Sequence, residues 1–340
     1  MTGDIVERTT CRIVQEIEES PLHGTPAKTI FFGGGTPTFL SEDQLLRVFD
    51  AVLRAHPPAA GAEITSEANP GTVDAKKFKS MRAAGFNRIS LGAQSFLDSD
   101  LITLGRVHRT SEIDRAVEAA READFGNLNL DLMFALPKQS SRAWLSNLDR
   151  AIGLGPEHLS LYCLTIEPNT AFYKKNLRGQ LDLPDDDQQV EMYDETLRRT
   201  ANAGFVQYEI SNFAAAGQEC RHNLCYWHNE DYAGYGPGAV GAITDGEVKT
   251  RYTNLKQPER YCEAIESRSP LQFERETLTP EIQEIERIML GLRLNDGLEW
   301  EDGPKAELLI SRGWATFDEG RLRLTRAGRH FCSEAALELF

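Results

Sequence analysis

The 340-residue sequence has no apolar run that approaches the ~20 residues needed for a membrane-spanning helix. Its first ten residues carry Asp4, Glu7 and Arg8 without an apolar core, which is not the pattern of a signal peptide. The cysteines are too dispersed for the disulfide framework of a small secreted domain; they are Cys11, Cys163, Cys220, Cys225, Cys262 and Cys332. These absences predict a reduced, soluble, cytoplasmic protein.

Positive charge is also scarce. The chain has 37 Lys and Arg against 52 Asp and Glu, a formal net charge of −15. Because a surface of this sign repels phosphate backbones, we do not expect the protein to bind nucleic acid. The acidity is typical of a surface selected for solubility.

A short apolar strand followed by an amphipathic helix recurs along the first half of the chain. Alternation of this kind indicates βα units and a parallel sheet, and predicts an α/β fold built as a partial (β/α) barrel. Ser41 and Gln44 form the pattern of a capping box at the start of one of these helices. The predicted strands are Thr29–Phe32, Glu63–Glu67, Arg88–Ala93, Leu128–Phe134 and Leu159–Leu164.

The periodicity changes twice, which predicts three regions. Residues 1–180 form the barrel, and 181–270 form an extension that contains a glycine-rich stretch around Gly236. Residues 271–340 read as two helices, a hairpin at Trp314–Leu324 and a last helix, an order that suggests a winged-helix-like α+β module. Given the acidic composition, we interpret this module as a packing or partner module rather than a DNA-binding one.

One notable residue lies near the carboxyl end of each predicted strand. In a barrel of parallel strands these ends converge on one face, where active sites are built. Ordinary strand-ending residues remain an alternative for each one taken singly, but the series favours a shared site. The residues are Gly34, Glu67, Gln94, Asp131 and Cys163.

The Gly33-Gly34-Gly35 run after the first strand would allow a ligand to approach the backbone closely. It matches neither the P-loop pattern nor the dinucleotide-binding pattern, so a phosphate ligand is the less specific alternative. A phosphate-binding βα-barrel enzyme unrelated to any family below therefore stays open at this point.

Longer motifs carry a more specific resemblance. The sequence resembles the branch of the radical-SAM superfamily that is related to oxygen-independent coproporphyrinogen III oxidase. Within that branch, Arg221–Trp227 (RHNLCYW) is similar to a segment that marks the HemW heme chaperones. The other matching segments are Gly33–Thr38 (GGGTPT), Glu67–Gly71 (EANPG), Ser90–Phe96 (SLGAQSF), Leu104–His108 (LGRVH), Asn129–Met133 (NLDLM) and Tyr208–Ala214 (YEISNFA).

The resemblance implies a binding site for S-adenosylmethionine. Backbone groups of Gly34, Gly35 and Thr36 would line its methionine part, while carboxylates suit ribose hydroxyls or an ammonium and an arginine suits a carboxylate. Cys163 would be small, buried and unreactive beside the adenosine. The residues at positions that contact this cofactor in the family are Glu67, Gln94, Arg106 and Asp131.

His222 is the residue that the resemblance implies as a heme ligand, since imidazole is a common axial ligand of heme iron. The alternative is a histidine that supports a loop through hydrogen bonds. No second axial ligand is evident, and Cys220, His222 and Cys225 lack the fourth ligand that zinc usually requires.

The family's [4Fe–4S] cluster is held by a C-x-x-x-C-x-x-C triplet, which this sequence does not contain. Cys11 has no partner cysteine nearby, so the sequence offers no metal ligands for the cluster. Two explanations remain, an N-terminally shortened form that lacks the first barrel strand or a natural relative without a cluster. We favour the first, because a missing strand leaves an unpaired sheet edge that nothing later in the chain is suited to cover.

Two functions follow from the resemblance. The first is a heme chaperone that binds S-adenosylmethionine and delivers heme to heme-accepting proteins, with a peripheral membrane protein as one class of recipient. The second is oxygen-independent coproporphyrinogen III oxidase, which carries out radical oxidative decarboxylation in porphyrin biosynthesis. The Arg221–Trp227 segment favours the chaperone, while Val240 stands where many relatives carry a histidine. Neither the radical chemistry nor the oligomeric state can be read from the sequence.

Overall fold

The computed structural model describes residues 3–301 and 303–340. Its α-helices are α1 (Gly3–Glu18), α2 (Glu42–Ala55), α3 (Ala75–Ala84), α4 (Asp98–Thr103), α5 (Thr110–Glu122), α6 (Ser141–Gly153), α7 (Ala171–Leu177), α8 (Asp186–Asn202), α9 (Arg221–Trp227), α10 (Pro258–Glu266), α11 (Pro280–Gly291), α12 (Pro304–Ser311), α13 (Arg326–Arg329) and α14 (Cys332–Leu337). Its strands are β1 (Ala27–Phe32), β2 (Pro58–Ala68), β3 (Arg88–Gln94), β4 (Leu128–Phe134), β5 (His158–Cys163), β6 (Val206–Glu209), β7 (Asn212–Ala214), β8 (Val240–Asp245), β9 (Val248–Asn254), β10 (Gln272–Leu278), β11 (Leu298–Glu299), β12 (Ala315–Asp318) and β13 (Arg321–Leu324).

The chain packs into two units. The first combines the chain up to Ile64 with Arg221–Phe340, and the second is Thr65–Cys220. Strand β2 runs through the boundary, and the largest sheet has the strand order β1-β2-β3-β4-β5-β7-β6. The three regions predicted from the sequence, with boundaries after residues 180 and 270, stay a prediction.

Parallel pairing in the second unit confirms the βα repeat. Strands β2, β3, β4 and β5 pair in parallel along the chain order. Ile89 and Leu91 on one face are completely buried, and Ser90 and Asn129 on the other face are 6% and 1% exposed, as expected of parallel strands covered on both faces. The sheet then ends differently from the prediction, because the three-residue strand β7 pairs antiparallel with both β5 and β6.

Helix boundaries follow the local signals of the sequence. The Ser41 hydroxyl accepts from the backbone of Gln44 while the Gln44 side chain caps Ser41, which confirms the predicted capping box of α2. Asp185 and Gln188 form a second capping box that starts α8. In both helices the cap satisfies backbone N–H groups that have no partner within the helix.

In the first unit, α1 packs on α2 through a core of Ile17, Val48, Ala51 and Ala55. Strands β8, β9 and β10 form an antiparallel sheet in the order β10-β9-β8. None of the described helices is long and apolar enough to span a membrane.

The C-terminal module has its own small sheet and core. The hairpin predicted at Trp314–Leu324 is confirmed by the antiparallel pairing of β12 with β13, and β11 adds a third strand. The core draws on the helices as well as on the sheet; its fully buried members are Ala306, Leu309, Leu322 and Ala335.

Candidate functional site

Four of the predicted site residues lie on neighbouring parallel strands of the second unit. Glu67 is the last residue but one of β2 and is paired in register with Ser90 of β3. Gln94 ends β3, Cys163 ends β5 and is paired with Phe134, and Asp131 lies within β4 opposite Ser160. Because all these strands run in the same direction, Glu67, Gln94 and Cys163 lie towards one edge of the sheet, while Asp131 lies in the middle of β4.

Asp131 accepts hydrogen bonds from its own strand and from the neighbouring strand β3. Its Oδ1 accepts from Asn129 Nδ2 at 2.7 Å and its Oδ2 accepts from the Ser90 hydroxyl at 3.1 Å. Burial raises the pKa of Asp131, and the hydrogen bonds from Asn129 and Ser90 oppose that rise. Hydrogen bonds therefore hold the carboxylate in one orientation, and burial removes much of its hydration. Such a carboxylate is suited to binding hydroxyl or ammonium groups of a ligand.

Gln94 has an unusual backbone. Its φ is 65°, in the left-handed region that a non-glycine residue rarely adopts. The next residue, Ser95, is completely buried and donates from its hydroxyl to Asp100 Oδ2 at 2.7 Å. Gln139 Nε2 donates to the same oxygen at 3.1 Å. This buried network fixes the turn after β3 and so sets the direction of the Gln94 side chain.

The exposure of Cys163 differs from the prediction. Cys163 is exposed, so the expectation of a buried thiol was wrong. The strand end at which it lies leaves the thiol at the surface beside Gln189, 3.5 Å from Sγ to Oε1. Surrounding protein nevertheless excludes enough water to raise the pKa of Cys163 to about 11, which keeps it an unreactive thiol. Arg106 is exposed in the turn that follows α4.

In the first unit, the glycine run follows directly after β1. Gly34 has a φ of +77°, and a Cβ atom built on Gly34 or on Gly35 would meet no other atom within 4 Å. Thr36 is exposed and its carbonyl accepts from the N–H of Phe39 at 2.8 Å. The turn therefore presents bare backbone with open space beside it, which fits a ligand that binds through backbone groups.

The segment Arg221–Trp227 forms helix α9, whose start is held by an acidic side chain from β2. The carboxylate of Glu63 accepts from the backbone N–H groups of Arg221 and His222, each at 3.0 Å. Glu63 is 5% exposed, so this is a buried cap on the first turn of the helix. No local motif predicts this contact, because Glu63 and α9 are far apart along the chain.

His222 is engaged by hydroxyl groups at both ring nitrogens. Nδ1 lies 2.8 Å from the Thr29 hydroxyl and Nε2 lies 3.0 Å from the Tyr226 hydroxyl. The imidazole also stacks on the ring of Phe31, with centroids 4.9 Å apart and planes inclined by 15°. His222 thus has the hydrogen bonds of a supporting residue, and coordination of iron at Nε2 would require the Tyr226 hydroxyl to move.

More aromatic rings surround α9. Tyr226 makes an edge-on contact with Tyr232, with centroids 4.7 Å apart. The guanidinium of Arg293 lies over the Trp227 ring, 4.5 Å from its centroid. Flat apolar rings beside a cation are the groups expected at a porphyrin that carries carboxylates.

The described residues do not supply a ligand set for a metal cluster. No group of three or more His, Cys, Asp or Glu side chains within residues 3–301 and 303–340 could hold a metal ion. Cys11 is exposed, Cys220 is buried directly before α9, and Cys262 is buried within α10. The residues present therefore do not fit a [4Fe–4S] cluster, and no chemical step is derived through one.

Comparison with known proteins agrees with the motifs. The family model "Radical SAM superfamily" matches residues 1–151. The heme chaperone HemW of Bacillus subtilis is 42% identical over 272 residues, which cover 80% of this chain and 71% of that protein. The heme chaperone HemW of Escherichia coli is 40% identical over 329 residues, which cover 93% of this chain and 85% of that protein.

A solved structure shares the fold. Coproporphyrinogen III oxidase (HemN) from Escherichia coli, described as a radical SAM enzyme, superposes with a TM-score of 0.83 at 23% identity, covering 99% of this chain and 84% of that one. The predicted α/β fold of the radical-SAM type is thereby confirmed. A sheet of mainly parallel strands that carries the acidic and amide side chains Glu67, Gln94 and Asp131 fits the radical-SAM class of fold. The chain belongs to the radical SAM superfamily and, within it, to the family of HemW heme chaperones.

Proposed function

We propose that this protein binds heme at helix α9 and delivers it to heme-accepting proteins, with S-adenosylmethionine bound at the strand ends. The observation that carries the proposal is the surroundings of His222. An imidazole stacked on Phe31 and flanked by Tyr226 provides a nitrogen ligand within an aromatic environment. The identity with HemW heme chaperones extends through this segment.

The proposal assigns separate tasks to residues around α9. His222 supplies the axial nitrogen, while Trp227 and Tyr226 supply apolar ring surface to the porphyrin. Arg293, which lies over Trp227, places a positive charge where a heme carboxylate is to be bound. Nε2 of His222 is already hydrogen-bonded to the Tyr226 hydroxyl, so the iron–nitrogen bond can form only when this hydrogen bond breaks. The loss of the hydrogen bond weakens net heme binding, which suits a protein that must release heme.

S-adenosylmethionine is assigned to the strand ends on the resemblance and on the fit of the donor set. In the second unit, Asp131 and Glu67 offer carboxylates for ribose hydroxyls or the ammonium, and Gln94 and Arg106 offer donors. The backbone of Cys163, at the end of β5, is the part of this residue that the resemblance places beside the adenosine. In the first unit, Gly34, Gly35 and Thr36 offer backbone groups to the methionine part. Bound cofactor would supply an adenosyl group, and the residues named here bind and orient it.

Heme-accepting partners, among them a peripheral membrane protein, and a cytoplasmic setting complete the proposal. The direct test is heme transfer. The chain is loaded with heme, separated from free heme, and mixed with apomyoglobin while the Soret band is followed. We expect the spectrum of holomyoglobin to appear faster than from free heme aggregates. A chain that binds no heme, or that retains it in the presence of excess apomyoglobin, would refute the chaperone function.

A further inference from the structure

Buried hydrogen bonds connect Asp131 through Asn129 and His158 to Tyr208. The proposed function assigns no role to Asn129, His158 or Tyr208. Asn129 Oδ1 lies 2.6 Å from Nδ1 of His158, and Nε2 of His158 lies 2.9 Å from the Tyr208 hydroxyl. His158 is completely buried, Asn129 is 1% exposed and Tyr208 is 8% exposed. Tyr208 is the first residue of the YEISNFA motif. Neither the proposed heme site nor the proposed cofactor site includes a residue of this motif.

The chemistry of these groups fixes the direction of every bond. A carboxylate only accepts, so Asn129 must present its amide NH₂ to Asp131 Oδ1 and its carbonyl oxygen to His158. His158 must then carry its proton on Nδ1, which leaves Nε2 as an acceptor for the Tyr208 hydroxyl. The Ser160 hydroxyl, 3.2 Å away, also donates to the Asn129 oxygen, which agrees with this orientation.

The Asn129 amide holds Asp131 Oδ1 directly and Asp131 Oδ2 through Ser90. Asn129 Nδ2 donates to Asp131 Oδ1 at 2.7 Å and also to the Ser90 hydroxyl at 2.7 Å. Ser90 passes its own proton to Asp131 Oδ2 at 3.1 Å. Rotation of the Asn129 amide would therefore disturb both oxygens at once, and His158 is the residue that prevents this rotation.

Burial also keeps His158 uncharged, which the arrangement requires. Burial lowers the pKa of His158 well below its usual value, and the nearby charge of Arg88 lowers it further. An imidazolium would have to donate from both nitrogens and could no longer accept from Tyr208. The neutral form with the proton on Nδ1 is therefore maintained by its surroundings.

We propose that Tyr208, His158 and Asn129 are positioning residues that hold the Asp131 carboxylate in the orientation that binds S-adenosylmethionine. The inference rests on the proposed function, since it assumes that Asp131 contacts this cofactor. It gives the YEISNFA motif a role: Tyr208, distant in sequence from the cofactor residues, supplies the hydroxyl that orients the imidazole.

A matched pair of variants separates positioning from packing. His158→Asn keeps an amide donor near the place of Nδ1, so Asn129 stays oriented. His158→Gln places its amide near the position of Nε2, where it reaches Tyr208 but leaves Asn129 without its donor. Both remove the same buried ring. Affinity for S-adenosylmethionine is measured by isothermal titration calorimetry for the full chain, both variants and Asp131→Asn, with thermal unfolding as the check on folding.

We expect His158→Gln to weaken binding about 10-fold, the effect of one misdirected hydrogen bond to a charged group, and His158→Asn to bind within about 3-fold of the parent. Equal weakening in both variants, or no weakening in either, would overturn the positioning role and leave the proposed function intact. Two outcomes would refute the cofactor assignment and, with it, the inference. In the first, the parent does not bind S-adenosylmethionine; in the second, it binds and Asp131→Asn binds equally well.

A second measurement does not depend on the cofactor. The chain has 7 histidines, so ¹⁵N spectra of histidine-labelled protein can be assigned with the His158→Asn variant. We expect His158 to be neutral with its proton on Nδ1, and Tyr208→Phe to change its Nε2 shift selectively. A proton on Nε2, or an imidazolium at neutral pH, would overturn the proposed direction of the hydrogen bonds.

Discussion

The Tyr226 hydroxyl lies 3.0 Å from Nε2 of His222, one helical turn earlier in α9, and occupies the nitrogen that heme iron would need. The two rings meet edge-on with centroids 5.0 Å apart, so the contact is both polar and aromatic. The Thr29 hydroxyl holds the opposite nitrogen at 2.8 Å. Binding of heme through His222 therefore replaces the Tyr226 hydroxyl at Nε2 with the heme iron.

This exchange predicts opposite effects for two substitutions in α9. His222→Ala removes the axial ligand and should shift the Soret band of the bound heme. Tyr226→Phe keeps the ring but removes the competing hydroxyl, so the His222-ligated spectrum should persist with affinity equal to or above that of the parent. Heme titration followed by absorbance measures both. An unchanged spectrum and affinity in His222→Ala would leave His222 as a residue that supports the segment through hydrogen bonds.

Trp227 should contribute affinity without changing the iron's ligands. Removal of its ring in Trp227→Ala takes away apolar surface for the porphyrin and the partner of the Arg293 guanidinium, so heme binding should weaken with an unaltered Soret maximum. Trp300→Ala is the matched control, because Arg287 lies over Trp300 at 5.9 Å in the same unit but outside α9. Equal loss of heme affinity in both variants would count against a direct contact with Trp227.

The chain should not assemble the iron–sulfur cluster of its superfamily. It has no C-x-x-x-C-x-x-C triplet, and the described residues hold no cluster of metal-binding side chains. Anaerobic reconstitution with iron and sulfide should give no stoichiometric [4Fe–4S] absorbance. A full cluster in this chain, retained after desalting, would contradict the prediction.

Gly34→Ala should impair binding of S-adenosylmethionine more than it impairs stability. A methyl group at Gly34 meets no atom of the protein, but its φ of +77° makes any other residue strained by about 1 kcal/mol. Gly24→Ala is the control, since Gly24 has a φ of +91° and equally open space. We expect similar losses of unfolding free energy in both and a loss of cofactor affinity in Gly34→Ala alone. Equal affinity in the two variants would remove the glycine turn from the site.

Glu16 should make stability depend on pH. Its carboxylate accepts from Gly236 N, Asn254 Nδ2 and the Tyr261 hydroxyl, yet burial raises the pKa of Glu16 above its ordinary value. A raised pKa favours the protonated folded state, so this contribution is complete below pH 4.5 and is lost as the pH rises through the folded-state pKa. The parent should therefore lose unfolding free energy relative to Glu16→Gln as the pH rises.

Urea unfolding at a series of pH values measures this difference. Glu19→Gln is the control, since Glu19 is exposed and directly follows the same helix. A parent that gains stability over Glu16→Gln with rising pH would show that the three hydrogen bonds outweigh burial at Glu16.

Local signals along the chain were enough to predict several elements of the fold. Leu128–Phe134 is a strand with the predicted bounds because apolar side chains recur at every second residue of this short segment, which is the period of a strand. The capping box of α2 was recognisable because Ser41 and Gln44 are only three residues apart. Motifs such as Glu67–Gly71 and Arg221–Trp227 were sufficient to indicate the family, since they preserve residue types in order along the chain.

Contacts between residues far apart along the chain could not be predicted and became visible in the folded structure. Glu63 caps α9 across 158 residues of sequence, and Tyr208 reaches His158 across 50, separations at which no periodicity or local motif carries information. The exposure of Cys163 likewise depends on what covers the end of β5 rather than on the residue itself. Such contacts are set by how strands and helices pack, because a side chain's partners are chosen by distance in space and by the need to satisfy buried polar groups.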